Sequence, residues 1–236
     1  MYLGYDTNFV SKNPDSKFHV VAKKSSGKSL ELISDLLLVA VGRIPNSDIL
    51  DLEKTGVKVN KKGYIITDRY LETNVKGIFA LGDAIGRYLF KHSANHEAQY
   101  AFNNIVYPTE KVPISYNAMP HAIFCSPQVA GVGFTEQELK ENKKGSEYQK
   151  SVYPYIKTAM GEAIEDRDGF VKFLVNKENN KILGCHIIGS DASTLIHEVL
   201  VAIKAGDGRI DSIAKTIHIH PALSEVVARA AYNIGK

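Results

Sequence analysis

Long apolar runs are missing from this chain. The longest, from Leu36 to Val41, is far too short to cross a bilayer, and no basic stretch followed by an apolar one opens the sequence. Neither a membrane partner nor a secretory leader is expected, and a cytoplasmic location is the default. Cysteine is scarce: the two present, Cys125 and Cys185, are too few for a disulfide scaffold and show no C-x-x-C or metal-ligand spacing, so no metal site is expected. Both are read as small buried residues. Charge of one sign is lacking too, because the net charge is +3 and the lysines are scattered among acids. The basic stripe of a nucleic-acid binder is absent, and no nucleic-acid partner is expected. Repeats, low-complexity segments and a phosphate loop are also missing. What remains is ordinary: 236 residues, 44% hydrophobic and 23% charged, enough for one large domain or two small ones.

The patterning predicts a mixed helix and sheet protein. Residues 18–23 and 29–33 flank the turn-forming Ser25-Ser26-Gly27-Lys28, the signature of a β-hairpin. Residues 35–46 form a continuous apolar run bounded by Gly42 and Pro45, as expected of a strand covered on both faces. Residues 56–67 read as two short strands around a polar turn. Residues 77–83 read as a buried strand ending in Gly82-Asp83. Helical character over 92–106 ends at Pro108. Beyond Pro113 a strand begins at Ile123-Phe124 and continues through 131–135, then Thr135-x-x-Glu138 opens a capped helix. Gly131-x-Gly133 is not a dinucleotide fingerprint, since Glu stands at 136 and the order of elements is wrong. Residues 169–175 and 181–188 flank a polar turn as a second hairpin. Leu195, Ile196, Val199, Leu200 and Ile203 recur at helical spacing after it.

Proton chemistry is expected near the C-terminus, in the run from His218 to Glu225. Pro221 restricts His220 to extended geometry and suits the first position of a helix, which puts the imidazole just outside a helix start. Glu225 then falls early in that helix, where the dipole favours a carboxylate, and it could turn back to fix the tautomer of His220 and stabilise its imidazolium. A general acid/base needs that arrangement. The alternative reading is a loop histidine before a well-capped helix. For Asp83 the options are a carboxylate at a strand's C-terminal edge, where α/β sheets bind ligand hydroxyls, or the N-cap of the next helix.

Four segments taken together resemble the C-terminal half of the FAD- and pyridine-nucleotide-dependent disulfide oxidoreductases, the family of dihydrolipoamide dehydrogenase, glutathione reductase, mycothione reductase and mercuric reductase. Residues 37–46 match the strand returning from the NAD(P) domain to the FAD domain, and residues 77–84 the flavin motif whose Asp binds the ribityl hydroxyls. Residues 120–136 match the opening of the dimerisation domain, and residues 218–225 the catalytic His-Glu pair. The doublet His218-x-His220-Pro221 looks most like dihydrolipoamide dehydrogenase, with mycothione reductase next.

The resemblance implies an α+β fold, with a partial FAD/NAD(P)-domain sheet segment followed by a complete α+β interface domain. Its divisions would be residues 1–41 for the tail of the NAD(P) domain, 42–114 for the second FAD segment, and 115–236 for dimerisation. It implies that Asp83 holds the FAD ribityl chain and that Leu89, Phe90, Lys91 and His92 bring backbone groups to the isoalloxazine pyrimidine edge. Gly42 would lie near the NAD nicotinamide. His220, oriented by Glu225, would deprotonate a small dithiol substrate in the other subunit's site, so a homodimer is implied. The family's two Gly-x-Gly-x-x-Gly turns and its redox Cys-x-x-x-x-Cys are not in this sequence; the family's order would put them upstream of Met1. The expectation is therefore a fragment that is inactive alone and could lack FAD. The competing expectation is a non-catalytic dimerisation module, or part of a mycothione- or glutathione-reductase-like enzyme.

Overall fold

A computed structural model describes residues 1–142 and 147–235, and the chain divides into two compact units, residues 1–45 and residues 46 onward. The first unit is a three-stranded antiparallel sheet in the order β1-β2-β3, with β1 at Asp6–Lys12, β2 at Phe18–Lys23 and β3 at Ser29–Ser34. The expected hairpin is β2–β3: Gly27 N–H donates to the Lys24 carbonyl at 2.8 Å and closes the turn. Cross-strand neighbours Val10, Val20 and Leu32 share one row of this sheet.

The apolar run 35–46 corrects the expectation of a buried strand. It forms no strand, and Leu36, Leu38, Val39 and Val41 are exposed. A strand of that composition needs hydrogen-bonded neighbours on both edges and layers on both faces. The described residues give it none. Residues 77–83 depart for the same reason, keeping only an isolated bridge from Phe79 to Glu72. The two strands expected within 56–67 reduce to isolated bridges, Val59 to Ile65 and Thr67 to Thr73, the first around a turn in which Asn60 Oδ1 accepts from Lys62 N–H at 2.9 Å.

The second unit opens with a short helix, α1 (Leu52–Thr55), and the long α2 (Lys91–Val106), which ends two residues before Pro108. Then come β4 (His121–Ile123), β5 (Gln128–Gly133), α3 (Glu136–Glu141), β6 (Tyr148–Pro154), α4 (Ala159–Ala163), β7 (Phe170–Asn176) and β8 (Ile182–Gly189). The chain closes with α5 (Ala192–Lys204), α6 (Asp211–Ala214) and α7 (Ser224–Tyr232). The five strands form one antiparallel sheet in the order β4-β5-β8-β7-β6. Residues 121–135 are therefore a hairpin of two strands rather than one continued strand, with His121 opposite Gly131. Its turn places Cys125 at the surface, against the expectation of burial; Cys185 is fully buried.

Alternation along the strands decides the core. Ala130, Val132, Val171, Phe173, Val175, Cys185 and Ile187 point to one face, where they meet Ile196 and Val199 of α5 and Val226, Val227 and Ala230 of α7. Each such large side chain contributes about 1.5–3 kcal/mol on burial. Thr135 caps α3 through a reciprocal box with Glu138, as its spacing requires.

Glu136, the first residue of α3, ties that helix to the sheet through Lys172 of β7 and Lys150 of β6 at 3.1 Å, and also pairs with Lys140 one turn along α3 at 3.2 Å. Hydrogen bonds from Lys172 first, then Lys150 and Lys140, hold its carboxyl well below the usual carboxylate range. A depressed carboxylate stabilises the fold fully above its unfolded pKa, about 4.3, and loses that contribution as pH falls below it. Glu136→Gln should therefore destabilise the chain at pH 7 and do so by a smaller margin at about pH 3 in paired urea titrations. An equal margin at both values would show that the charges contribute nothing.

Candidate active site

The C-terminal site is built where α7 starts. Its first helical residue is Ser224, so Pro221 lies outside the helix and not at its first position, which corrects the sequence expectation. Glu225 is the second helical residue, and its carboxylate turns back over residues 220–222. The Nδ1–H of His220 donates to Oε1 and Oε2 of Glu225, each at 3.0 Å, and Ala222 N–H donates to Oε2 at 3.3 Å. The His220 hydrogen bond, with Ala222 N–H and the charge of Arg229 in support, holds the Glu225 carboxyl below its ordinary range. Burial is opposite for the two partners: the Glu225 side chain is 12% exposed and the His220 side chain 69%. The imidazole is thus anchored at Nδ1 and presents the Nε2 lone pair outward, as a base requires.

His218, two residues earlier, is arranged differently. Its Nε2 meets Glu198 Oε1 of α5 at 2.5 Å and its Nδ1 meets the Thr216 carbonyl at 2.9 Å, with the side chain 10% exposed. Both nitrogens are engaged, so His218 braces the loop onto α5 and leaves His220 as the ring with a nitrogen to offer. Glu198 was not singled out by sequence reasoning. It lies twenty positions from its partner on a helix read only for its apolar face.

A second cluster gathers at the start of α2. Gly82, in left-handed geometry at φ 69°, donates its N–H to Oε2 of Glu97 at 2.5 Å. Glu97 is fully buried and also accepts from Ser93 Oγ at 3.1 Å and the Tyr116 hydroxyl at 2.9 Å. Burial, with the Glu97 carboxylate behind it, raises the Tyr116 phenol far above its usual range. This buried carboxylate pins the turn that presents Asp83, which is exposed. Glu97 was also missed, although its i, i+4 spacing from Ser93 on α2 is a legible signal.

Phe90 is the N-cap of α2, without a side-chain cap or an acidic first turn, so the N–H groups of Lys91, His92 and Ser93 have no acceptor among the described residues. His92 stacks on Phe90 at 5.1 Å and its Nε2 meets the Pro120 carbonyl at 2.9 Å. Leu89, Phe90, Lys91 and His92 line an open cleft of about 420 Å³, mostly apolar, together with Phe124 and Ile196; neither Asp83 nor His220 borders it. Free first-turn N–H groups at the positive end of a sixteen-residue helix suit a ligand edge rich in carbonyl or anionic oxygens. Gly42, in the first unit, is exposed at φ 96°, and a Cβ added there would meet no atom of the described residues within 4 Å.

The chain belongs to the pyridine nucleotide-disulphide oxidoreductases: the family's dimerisation domain matches residues 119–231, and its preceding pyridine nucleotide-disulphide oxidoreductase domain matches residues 3–102. It is 35% identical over 231 residues to dihydrolipoyl dehydrogenase of Corynebacterium glutamicum, covering 98% of this chain and 49% of that protein. It is 39% identical over 201 residues to mycothione reductase of Mycobacterium tuberculosis, covering 84% and 43%. Among solved structures, the copper(II) complex of the HOCl-induced flavoprotein disulfide reductase RclA from Escherichia coli superposes with a TM-score of 0.84 at 23% identity, over 96% of this chain and 49% of that one. The chain spans about half the length of the curated relatives it matches. No helix among the described residues is long and apolar enough to cross a membrane.

The contrast between the two histidines gives an expected outcome. Glu198→Ala or His218→Ala should cost about 1–3 kcal/mol in chemical denaturation, because each removes the hydrogen bond and leaves a partly or largely buried partner unpaired. His220→Gln should cost less, under about 1 kcal/mol, because the exposed ring packs against little, the Gln amide can still donate to Glu225, and Ala222 N–H stays on that carboxylate. Similar losses at both positions would remove the distinction.

Proposed function

We propose that this chain supplies the interface half of a flavin-dependent dithiol/disulfide oxidoreductase resembling dihydrolipoamide dehydrogenase. The observation that supports it is the anchored His220, with Nδ1 on Glu225 and Nε2 open to solvent. In this reading His220 Nε2 accepts the proton of a small dithiol held in the partner subunit's site, because the ionised sulfur is the species that attacks a disulfide. Glu225 keeps the ring in the accepting tautomer and stabilises the imidazolium once formed. The attacked disulfide would come from outside this chain: Cys185 is fully buried with its thiol pushed well up by that burial, and Cys125 lies apart on the β4–β5 turn.

FAD, when bound, would take up the electron pair from the dithiol and deliver hydride to NAD+. This chain's part is to hold it: Asp83 would accept hydrogen bonds from the ribityl hydroxyls, and the first turn of α2, behind Leu89, Phe90, Lys91 and His92, would donate to the pyrimidine edge. Gly42 would lie by the nicotinamide of NAD. Residues 1–41, 42–114 and 115–236 would then be the tail of the NAD(P) domain, the second FAD segment and the dimerisation domain of a homodimer. Outside that context the chain would be silent, since it offers no redox dithiol of its own. In a mycothione- or glutathione-reductase-like enzyme the same step would run in reverse, the His220 imidazolium giving its proton to the thiolate released from a disulfide substrate.

His220→Gln in the flavin-loaded, full-length homodimer should lower the rate of dihydrolipoamide-dependent NAD+ reduction by about 10²–10⁴, while flavin content and dimer mass stay unchanged. Near-normal turnover would remove His220 from the proton path.

A further inference from the structure

The sheet face turned away from α5 and α7 carries a row of residues set by strand register: His121 of β4 opposite Gly131 of β5, Gly131 opposite His186 of β8, and His186 opposite Lys172 of β7. Because the residue between the two histidines is glycine, both rings lean into the space a side chain would fill. A Cβ placed on Gly131 would come within 2.7 Å of His186 Nδ1 and 2.9 Å of His121 Nε2. The ring centroids are 6.4 Å apart.

Their protonation is arranged for ligation. His186 Nε2 meets the Phe134 carbonyl at 2.9 Å; a carbonyl only accepts, so the proton is on Nε2 and the Nδ1 lone pair faces Gly131 and the other ring. A backbone carbonyl fixing the far nitrogen in this way is the usual support of a metal-binding imidazole. Neither nitrogen of His121 has a hydrogen bond among the described residues. Burial, and the neighbouring His186 ring, lower the pKa of His121 and favour its neutral form. The remaining charges nearby are compensated: Lys172 is paired with Glu136, and the Glu138 carboxylate lies within the electrostatic reach of His186.

The geometry points to a two-imidazole site for a borderline transition-metal dication, zinc, nickel or copper(II), ligated by His121 Nε2 and His186 Nδ1, with water completing the shell. Imidazole nitrogen suits these ions and binds them at about 2.0–2.1 Å, and the two nitrogens face the one space left by Gly131. Hard cations such as magnesium, which prefer oxygen, are excluded by the donors. The site is separate from the His220–Glu225 pair and stands whether or not the chain serves a flavin.

The test is a calorimetric titration of the whole chain with Ni2+ alone, read beside paramagnetic broadening of the histidine ring protons. The chain should bind one equivalent that His121→Gln and His186→Gln each lose, and that equivalent should broaden both rings together. Gly131→Ala keeps both imidazoles but fills the space between them, so it should lose the same equivalent; circular dichroism reports whether each variant is folded. Unchanged stoichiometry and affinity in folded His121→Gln, or broadening that spares both rings, would overturn the assignment.

Discussion

The hydrogen bonds from His220 to Glu225 are the interaction on which the reading of this protein depends. They convert a solvent-exposed imidazole, which would otherwise sample both tautomers and many rotamers, into a ring with one nitrogen fixed and the other offered. The anchor is rigid because Glu225 belongs to α7, whose Val226, Val227 and Ala230 are fully buried against the five-stranded sheet. Packing of the helix thus sets the direction in which a proton acceptor points. The His218–Glu198 contact does the same from the other side by fastening the loop to α5, a helix buried against the same sheet.

At the other end of the second unit the same logic recurs with a backbone turn. Glu97 is fully buried in α2, and its three donors come from the Gly82 turn, from α2 itself and from the segment that leads into β4. An ionisable group is tolerated there because its hydrogen bonds compensate for the water it has lost. The turn it fixes presents Asp83, and the uncapped start of α2 leaves three N–H groups for a ligand. Two carboxylates on helices, the buried Glu97 and the half-buried Glu198, therefore hold the loops next to the candidate site residues.

What the sequence discloses is what local chemistry decides. The β2–β3 hairpin is legible from its Ser-Ser-Gly-Lys turn, α5 from its apolar spacing, and α3 from the Thr135–Glu138 box. The contact between His220 and Glu225 is legible too, since five positions across a helix start bring the groups together. Elements that depend on neighbours are not legible in this way: residues 35–46 and 77–83 have strand composition yet lack the flanking ladder that would make them strands. β6 escapes because Tyr-Gln-Lys-Ser-Val-Tyr-Pro alternates too weakly to register as a strand. Glu198 and the His121–His186 pair escape for a third reason, being joined only by tertiary packing and strand register.

Nitrogen-15 NMR of the His220 ring in the neutral form, with Glu225→Gln as reference, tests the central claim most directly. The account requires the proton on Nδ1 and a bare Nε2, with the preference lost in Glu225→Gln. A proton on Nε2 in the unmodified chain would mean that the outward nitrogen cannot accept one, and the proton-acceptor role would fall with it.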